Sequence, residues 1–193
     1  MARVLPVVKE PNKILRSNAR PVPVSEITRS KIQGLISDMK ETLKNTTDGV
    51  GLAASQVGSS LQIFIVSEEA ETIDRFEKEL ARREPYYKIA ASEEKPHETK
   101  EWKYYVFINP AVKNISKRKL DRAEGCLSVP GKFGNVLRQE KITVEAYDEH
   151  GKKFTRGAVR FFARVIQHEL DHLLGTLFID KTKKVFTTEA GHK

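Results

Sequence analysis

The chain is 193 residues long, 39% hydrophobic, and carries a formal charge of +8. That length and apolar content point to one globular domain with a buried core. No apolar run reaches membrane-spanning length, charge returns within the first ten residues, and the single cysteine, Cys126, excludes an internal disulfide. A soluble, cytoplasmic protein with no membrane partner is the expectation.

The charge is unevenly placed. Residues 68–103 hold eleven acidic and eight basic side chains, so the remainder carries +11. Scattered lysines serve solubility, whereas a basic face of this size can also draw an RNA-rich partner.

After a proline-punctuated extended start, Ser25-Glu26 opens a segment with Ile32, Leu35, Ile36, Met39 and Leu43 at helical spacing. This predicts an amphipathic helix that stops at the turn formers Asn45-Thr46-Thr47-Asp48-Gly49. Leu61 to Val66 and Tyr104 to Ile108 are rich in aromatic and β-branched residues and read as strands, the second closed by Asn109-Pro110. Between them, 67–103 reads as a charged surface insertion in which Ile73, Phe76 and Leu80 could share one short helix. Ile142 to Tyr147 predicts a third strand, turned back at Asp148-Glu149-His150-Gly151 into a hairpin through Phe154-Thr155. A second helix is expected from about Val159 to Leu174, with Val159, Phe162, Ile166, Leu170 and Leu173 on its apolar stripe and Gly175 as its left-handed cap.

That second helix carries Gln167-His168-Glu169-Leu170-Asp171-His172. Positions four apart stack on one helical face, so His168 and His172 can aim ring nitrogens at a single point, with Glu169 about 100° around the axis. The geometry suits a divalent metal, but two imidazoles leave it underbound. A catalytic zinc or iron site takes three protein ligands and keeps one position open. Downstream, Phe178 stands where the metzincin pattern wants histidine, and Glu189 lies in a stretch that does not look helical. Upstream, Cys126 sits between a glycine and a Ser-Val-Pro-Gly turn in Ala123-Glu124-Gly125-Cys126-Leu127-Ser128-Val129-Pro130-Gly131, and a thiolate is a strong soft ligand. Phe161 and Val165, seven and three residues before His168, put an apolar wall beside the same point. The glycines Gly49 and Gly51 do not make a phosphate loop. Ala54 replaces the third glycine of the dinucleotide fingerprint, no Gly-Lys pair follows, and a helix rather than a strand precedes them.

Three segments, Gly49-Val50-Gly51-Leu52-Ala53-Ala54-Ser55-Gln56, Glu124-Gly125-Cys126-Leu127-Ser128 and the histidine motif, resemble in this order the three motifs of the peptide deformylase family. The likeness runs from the N-terminal helix to Asp180. It implies an α+β fold, a single domain over 1–193 with antiparallel or mixed sheets packed around a central metal-binding helix. It also implies an enzyme that removes the formyl group from N-formylmethionine at the start of nascent polypeptides, releasing formate. The metal would rest on Cys126, His168 and His172. Family likeness favours Fe2+, with Zn2+, Ni2+ or Co2+ able to substitute.

The resemblance further assigns Glu169 the proton transfer, and the Gln56 side chain and Leu127 N–H the stabilisation of an oxyanion. Val50, Gly51 and Gly125 would line the substrate groove with Phe161 and Val165. Glu124 would support the ligand set, and Arg138 would contact either Glu124 or the substrate backbone. The expected partners are formylated nascent peptides and the ribosome near its exit tunnel, with no DNA, for a monomeric protein.

Some features depart from the family pattern. Ser55 stands where proline is common, the 67–103 segment is longer than the usual connection, and the chain after Asp180 is short of the long terminal helix of many members. His97, His150 and His192 read as surface residues. Three other classes have distinct requirements: a zincin peptidase needs Glu189 as a ligand, a cysteine hydrolase needs Cys126 as nucleophile with a histidine base, and a metal-stabilised binding module needs no Glu169.

Overall fold

The computed structural model describes residues 2–47, 49–73 and 103–187. Its helices of three turns or more are α1 (Ser30–Lys44) and α2 (Arg160–Leu173). Its strands are β1 (Gly51–Ala53), β2 (Ile63–Ser67), β3 (Tyr104–Ile115), β4 (Lys119–Cys126), β5 (Val129–Gln139), β6 (Lys141–Tyr147), β7 (Lys153–Val159) and β8 (Val185–Thr187). They form a five-stranded sheet in the order β1-β2-β3-β6-β7 and a three-stranded sheet in the order β4-β5-β8. Every pairing within the sheets is antiparallel. The α+β expectation holds.

The larger sheet is covered on both faces. Because successive side chains of a strand point to opposite sides, Phe64, Val66 and Phe107 pack with Phe162 and Ile166 of α2, while Ile63, Ile65, Val106 and Ile108 pack with Ile36, Met39 and Leu43 of α1. This double burial explains why Ile63-Phe64-Ile65-Val66 is apolar without interruption rather than alternating. A third cluster, Leu15, Val129, Val136, Leu177 and Phe178, lies against the smaller sheet, with Cys126 packed on it. Helix α2 touches β1, β2, β6 and β7 of one sheet and β5 of the other.

Several local expectations need correction. The first helix starts at Ser30, because Val24–Glu26 closes into a separate 3-10 turn. The second strand does not end at Asn109-Pro110. It runs on to Ile115 through a bulge after Ile108, where Asn109 takes φ 50°. The bulge absorbs the proline that a regular ladder would reject, and Asn109 exchanges two hydrogen bonds with the Val22 backbone, at 2.8 and 2.7 Å. Val159 is not on the apolar stripe of α2. It ends β7 and is 47% exposed, since the chain turns at Arg160, φ 45°, to begin the helix.

The largest omission is the β4–β5 hairpin. Cys126 is the last residue of β4, Pro130-Gly131 lie inside β5, and the turn between the strands is at Leu127-Ser128. The hairpin at Asp148–Gly151 forms as expected, with Gly151 at φ 76°. Gly175 takes φ 67° at the end of α2. Residues 69–73 are helical; Phe76 and Leu80 lie outside the described residues.

Candidate metal centre

The hairpin delivers the thiol and the helix delivers the imidazoles. The β4–β5 ladder shifts register between Gly125 and Cys126, where β4 ends. The ligand atoms offered by Cys126, His168 and His172 all lie within 4.8 Å of one another, with Cys126 Sγ 3.2 Å from His172 Nε2. The two rings stand edge to face, 5.0 Å between centroids, as the four-residue spacing dictates. Phe178, excluded as a ligand, is buried and stacks on His168 with 6.4 Å between ring centroids.

His168 is held from behind. His168 Nδ1 pairs with Glu124 Oε2 at 3.0 Å, which leaves Nε2 for the common point. Glu124 accepts from Arg138 Nε and Nη2, both at 2.8 Å, and from Arg164 Nη1 at 2.8 Å. Arg138 also reaches Asp171 of α2 at 2.5 Å, and Lys181 pairs with the other Asp171 oxygen at 2.6 Å. Arg164 donates further to the carbonyls of Leu120, Arg122 and Val136 at 2.7, 3.2 and 2.9 Å. These bonds tie α2 to the hairpin at one buried carboxylate. Burial alone would raise the Glu124 carboxyl, but Arg138 and His168 outweigh it and hold it down at about 2. Of the two options for Arg138, the structure takes Glu124.

Among the described residues, the buried polar atoms without a partner include two on α2 at this centre, Glu169 Oε2 and His172 Nδ1. Glu169 faces the same cavity as Gly51, where a β-carbon would collide with its carboxylate, so only glycine permits the approach. Burial pushes the Glu169 carboxyl up to about 7, against the pull of His168. Burial, with the neighbouring His168, pushes His172 well below its ordinary value.

Gln56 is buried beside them. Its Oε1 accepts from the Ala53 N–H at 2.8 Å, which orients Nε2 toward Ser128 Oγ, 3.2 Å away, and Cys126 Sγ, 3.5 Å away. The N-terminal segment clamps this arrangement. Val8 N–H donates to the Gln56 carbonyl, Glu10 N–H to the Ser128 carbonyl, and Lys9 Nζ to the Leu127 carbonyl at 2.5 Å. A cavity of about 410 Å³ opens over these groups and is lined by Val50, Gly51, Gly125, Leu127, Phe161 and Val165, along with His168 and Glu169. Every expected site residue that falls here is thereby brought to one place.

Four contributors escaped the sequence reading: Lys9, Ser128, Arg164 and Asp171. Arg164 carried a usable signal, since it lies four residues before His168 on the same helical face. Lys9 carried none, because its place depends on a contact across more than a hundred residues. Ser55 is buried beside Gln56. His150 is exposed, as expected. His97, His192 and Glu189 lie outside the described residues.

A family model described as polypeptide deformylase matches residues 4–187. The chain belongs to this family. It is 34% identical over 190 residues to a peptide deformylase of Psychrobacter cryohalolentis, covering 98% of this chain and 85% of that protein. It is 36% identical to one from Chloroflexus aurantiacus, covering 92% and 85%. Among solved structures, a class I type b peptide deformylase from Acinetobacter baumannii with bound Met-Ala-Ser aligns with a TM-score of 0.72 at 33% identity, over 94% of this chain and 99% of that one.

Proposed function

We propose that Cys126, His168 and His172 hold a divalent metal and that Glu169, Gln56 and the Leu127 N–H carry out amide hydrolysis beside it. The family reaction is deformylation of nascent polypeptides, and the chain is a hydrolase of that kind. The observation that carries the assignment of roles is the convergence of one sulfur and two imidazoles within 4.8 Å, next to an unpartnered buried carboxylate oxygen. The donor set fits the group: a soft thiolate and two neutral-capable rings suit ferrous iron, zinc, nickel or cobalt, and Fe2+ is our choice for the native ion. When bound, the metal supplies Lewis acidity and, at neutral pH, a hydroxide nucleophile.

The protein groups do the rest. Val165 and Phe161 accept the methionine side chain, and Val50, Gly51 and Gly125 let the peptide backbone approach closely. Gln56 Nε2, oriented by the Ala53 N–H, and the Leu127 N–H donate to the formyl oxygen as negative charge builds on it. Glu169 holds the transferred proton at its unpartnered oxygen and passes it to the departing amine nitrogen. Glu124, Arg138, Arg164 and Asp171 touch no reacting atom. They keep His168 aimed and the hairpin against the helix.

The reading extends to a cytoplasmic monomer, a single domain in which 67–103 is a surface insertion, with the metal-binding helix at its centre. The basic surface would hold it near ribosomal RNA. Among the described residues, no helix is long and apolar enough to cross a membrane. The test is anaerobic formate release from a formyl-Met peptide with elemental analysis of the same sample. Activity that tracks bound metal is the expected result. Activity that survives complete metal removal would overturn the metal assignment in favour of Cys126 as nucleophile.

A further inference from the structure

The last described strand, β8, has no part in the buried core: all three of its residues are exposed. Its placement against β5 has another consequence. Phe186 lies directly opposite Phe133 in the ladder, and the two rings stack with centroids 6.2 Å apart and planes 21° from parallel. Phe133 in turn rests on Gly125, where a β-carbon would stand 2.8 Å from its ring, and it lines the cavity over the metal centre. The approach to β8 is fitted as well, since Gly134 leaves room for Thr182 and no side chain.

The cavity therefore has two apolar walls on different elements. Phe161 and Val165 belong to α2, next to the histidines, and suit the methionine side chain. Phe133, with Pro130 and Gly131, belongs to the hairpin and lines the same cavity. We propose that the Phe133 ring, backed by Phe186 of β8, is a specificity wall that favours an apolar residue immediately after the formylated methionine. Phe133 is the residue that touches substrate; Phe186 is a positioning residue acting through it. A half-buried aromatic ring excludes water from an apolar neighbour but offers nothing to a carboxylate, so discrimination follows from burial rather than from charge. The inference rests on the functional reading above, and deepens it at the second substrate position.

The test compares formate release from formyl-Met amide, formyl-Met-Phe amide and formyl-Met-Asp amide by the metal-loaded full-length protein and its variants. Phe133→Ala is expected to lower kcat/KM for formyl-Met-Phe amide about tenfold more than it lowers that for formyl-Met amide, through KM. Phe186→Ala should move the same substrate in the same direction by about threefold, and Phe186→Leu should restore most of that loss. A purely structural role would lower all three substrates together, and that outcome overturns the proposal, as does an unchanged preference in both alanine variants. Should Phe133→Ala be insoluble, Phe133→Leu against the same three substrates decides the point. Failure of the unaltered protein to release formate from any of them would remove the functional reading itself, which the formyl-Met amide control reports separately.

Discussion

Helices α1 and α2 flank the same sheet, yet they bury different chemistry. On α1 the buried set is Ile32, Ile36, Met39 and Leu43 with two polar residues, Asp38 and Thr42, and both of these serve the N-terminal arm: Asp38 accepts from the Arg3 backbone and guanidinium, Thr42 from the Leu5 N–H. On α2 the buried set includes Arg164, Glu169, Asp171 and His172. Charges are rarely buried without partners, because desolvation costs more than most packing returns. Arg164 and Asp171 meet that condition through the Glu124 and Arg138 network. Glu169 Oε2 and His172 Nδ1 do not. One helix is arranged for stability; the other tolerates unsatisfied polar atoms at the candidate metal centre.

The contrast can be broken by substitution. Glu169→Gln keeps the buried volume and removes the titrating group, so kcat for formate release should fall by about 10²–10⁴. Metal content by elemental analysis should stay unchanged, and the urea midpoint should stay level or rise; a parallel loss of metal would show that Glu169 serves binding instead. Arg138→Met strips the bidentate donor from a carboxylate that is almost wholly buried. Equilibrium urea unfolding should show a loss of about 3 kcal/mol, the lower end for a broken buried pair, since Arg164 and His168 still contact Glu124.

On α1 the effects are smaller and leave the chemistry alone. Ile36→Val should cost about 0.5–1.5 kcal/mol with kcat unaltered. The Arg3 backbone and side chain hold the Asp38 carboxyl below its ordinary value. A group with a lowered folded-state pKa contributes stability that is present above its unfolded pKa and lost as pH falls through the folded one. Asp38→Asn should therefore destabilise slightly at neutral pH, and the gap between it and the unaltered chain should close in urea titrations as pH drops below the ordinary aspartate range.

Much of the architecture was legible in short windows. The apolar spacing of Ile32 through Leu43, the β-branched and aromatic residues within Leu61 to Val66 and the alternation of Ile142 to Tyr147 each report burial by a local pattern, and each formed its element. The β4–β5 hairpin was not legible because its residues are mixed. Lys119 to Cys126 buries Glu124 through paired charges rather than through apolar side chains, so hydrophobic periodicity has nothing to register there. Asn109-Pro110 misled for a related reason: a proline does end a regular ladder, but a bulge supported by the distant Val22 backbone lets the strand continue.

The sequence by itself determined the candidate ligand types and the pairing of His168 with His172, because helical geometry converts a four-residue spacing directly into proximity. It also placed Glu169 and the apolar residues Phe161 and Val165 relative to that pair. What only the tertiary structure decided is everything that joins separate elements: the approach of Cys126 to the imidazoles, the convergence of two arginines on Glu124, the seating of Lys9 beside Leu127, and the stack of Phe186 on Phe133. Those contacts depend on how strands and helix pack over long stretches of chain, and no local period encodes which distant side chain will fill a buried position.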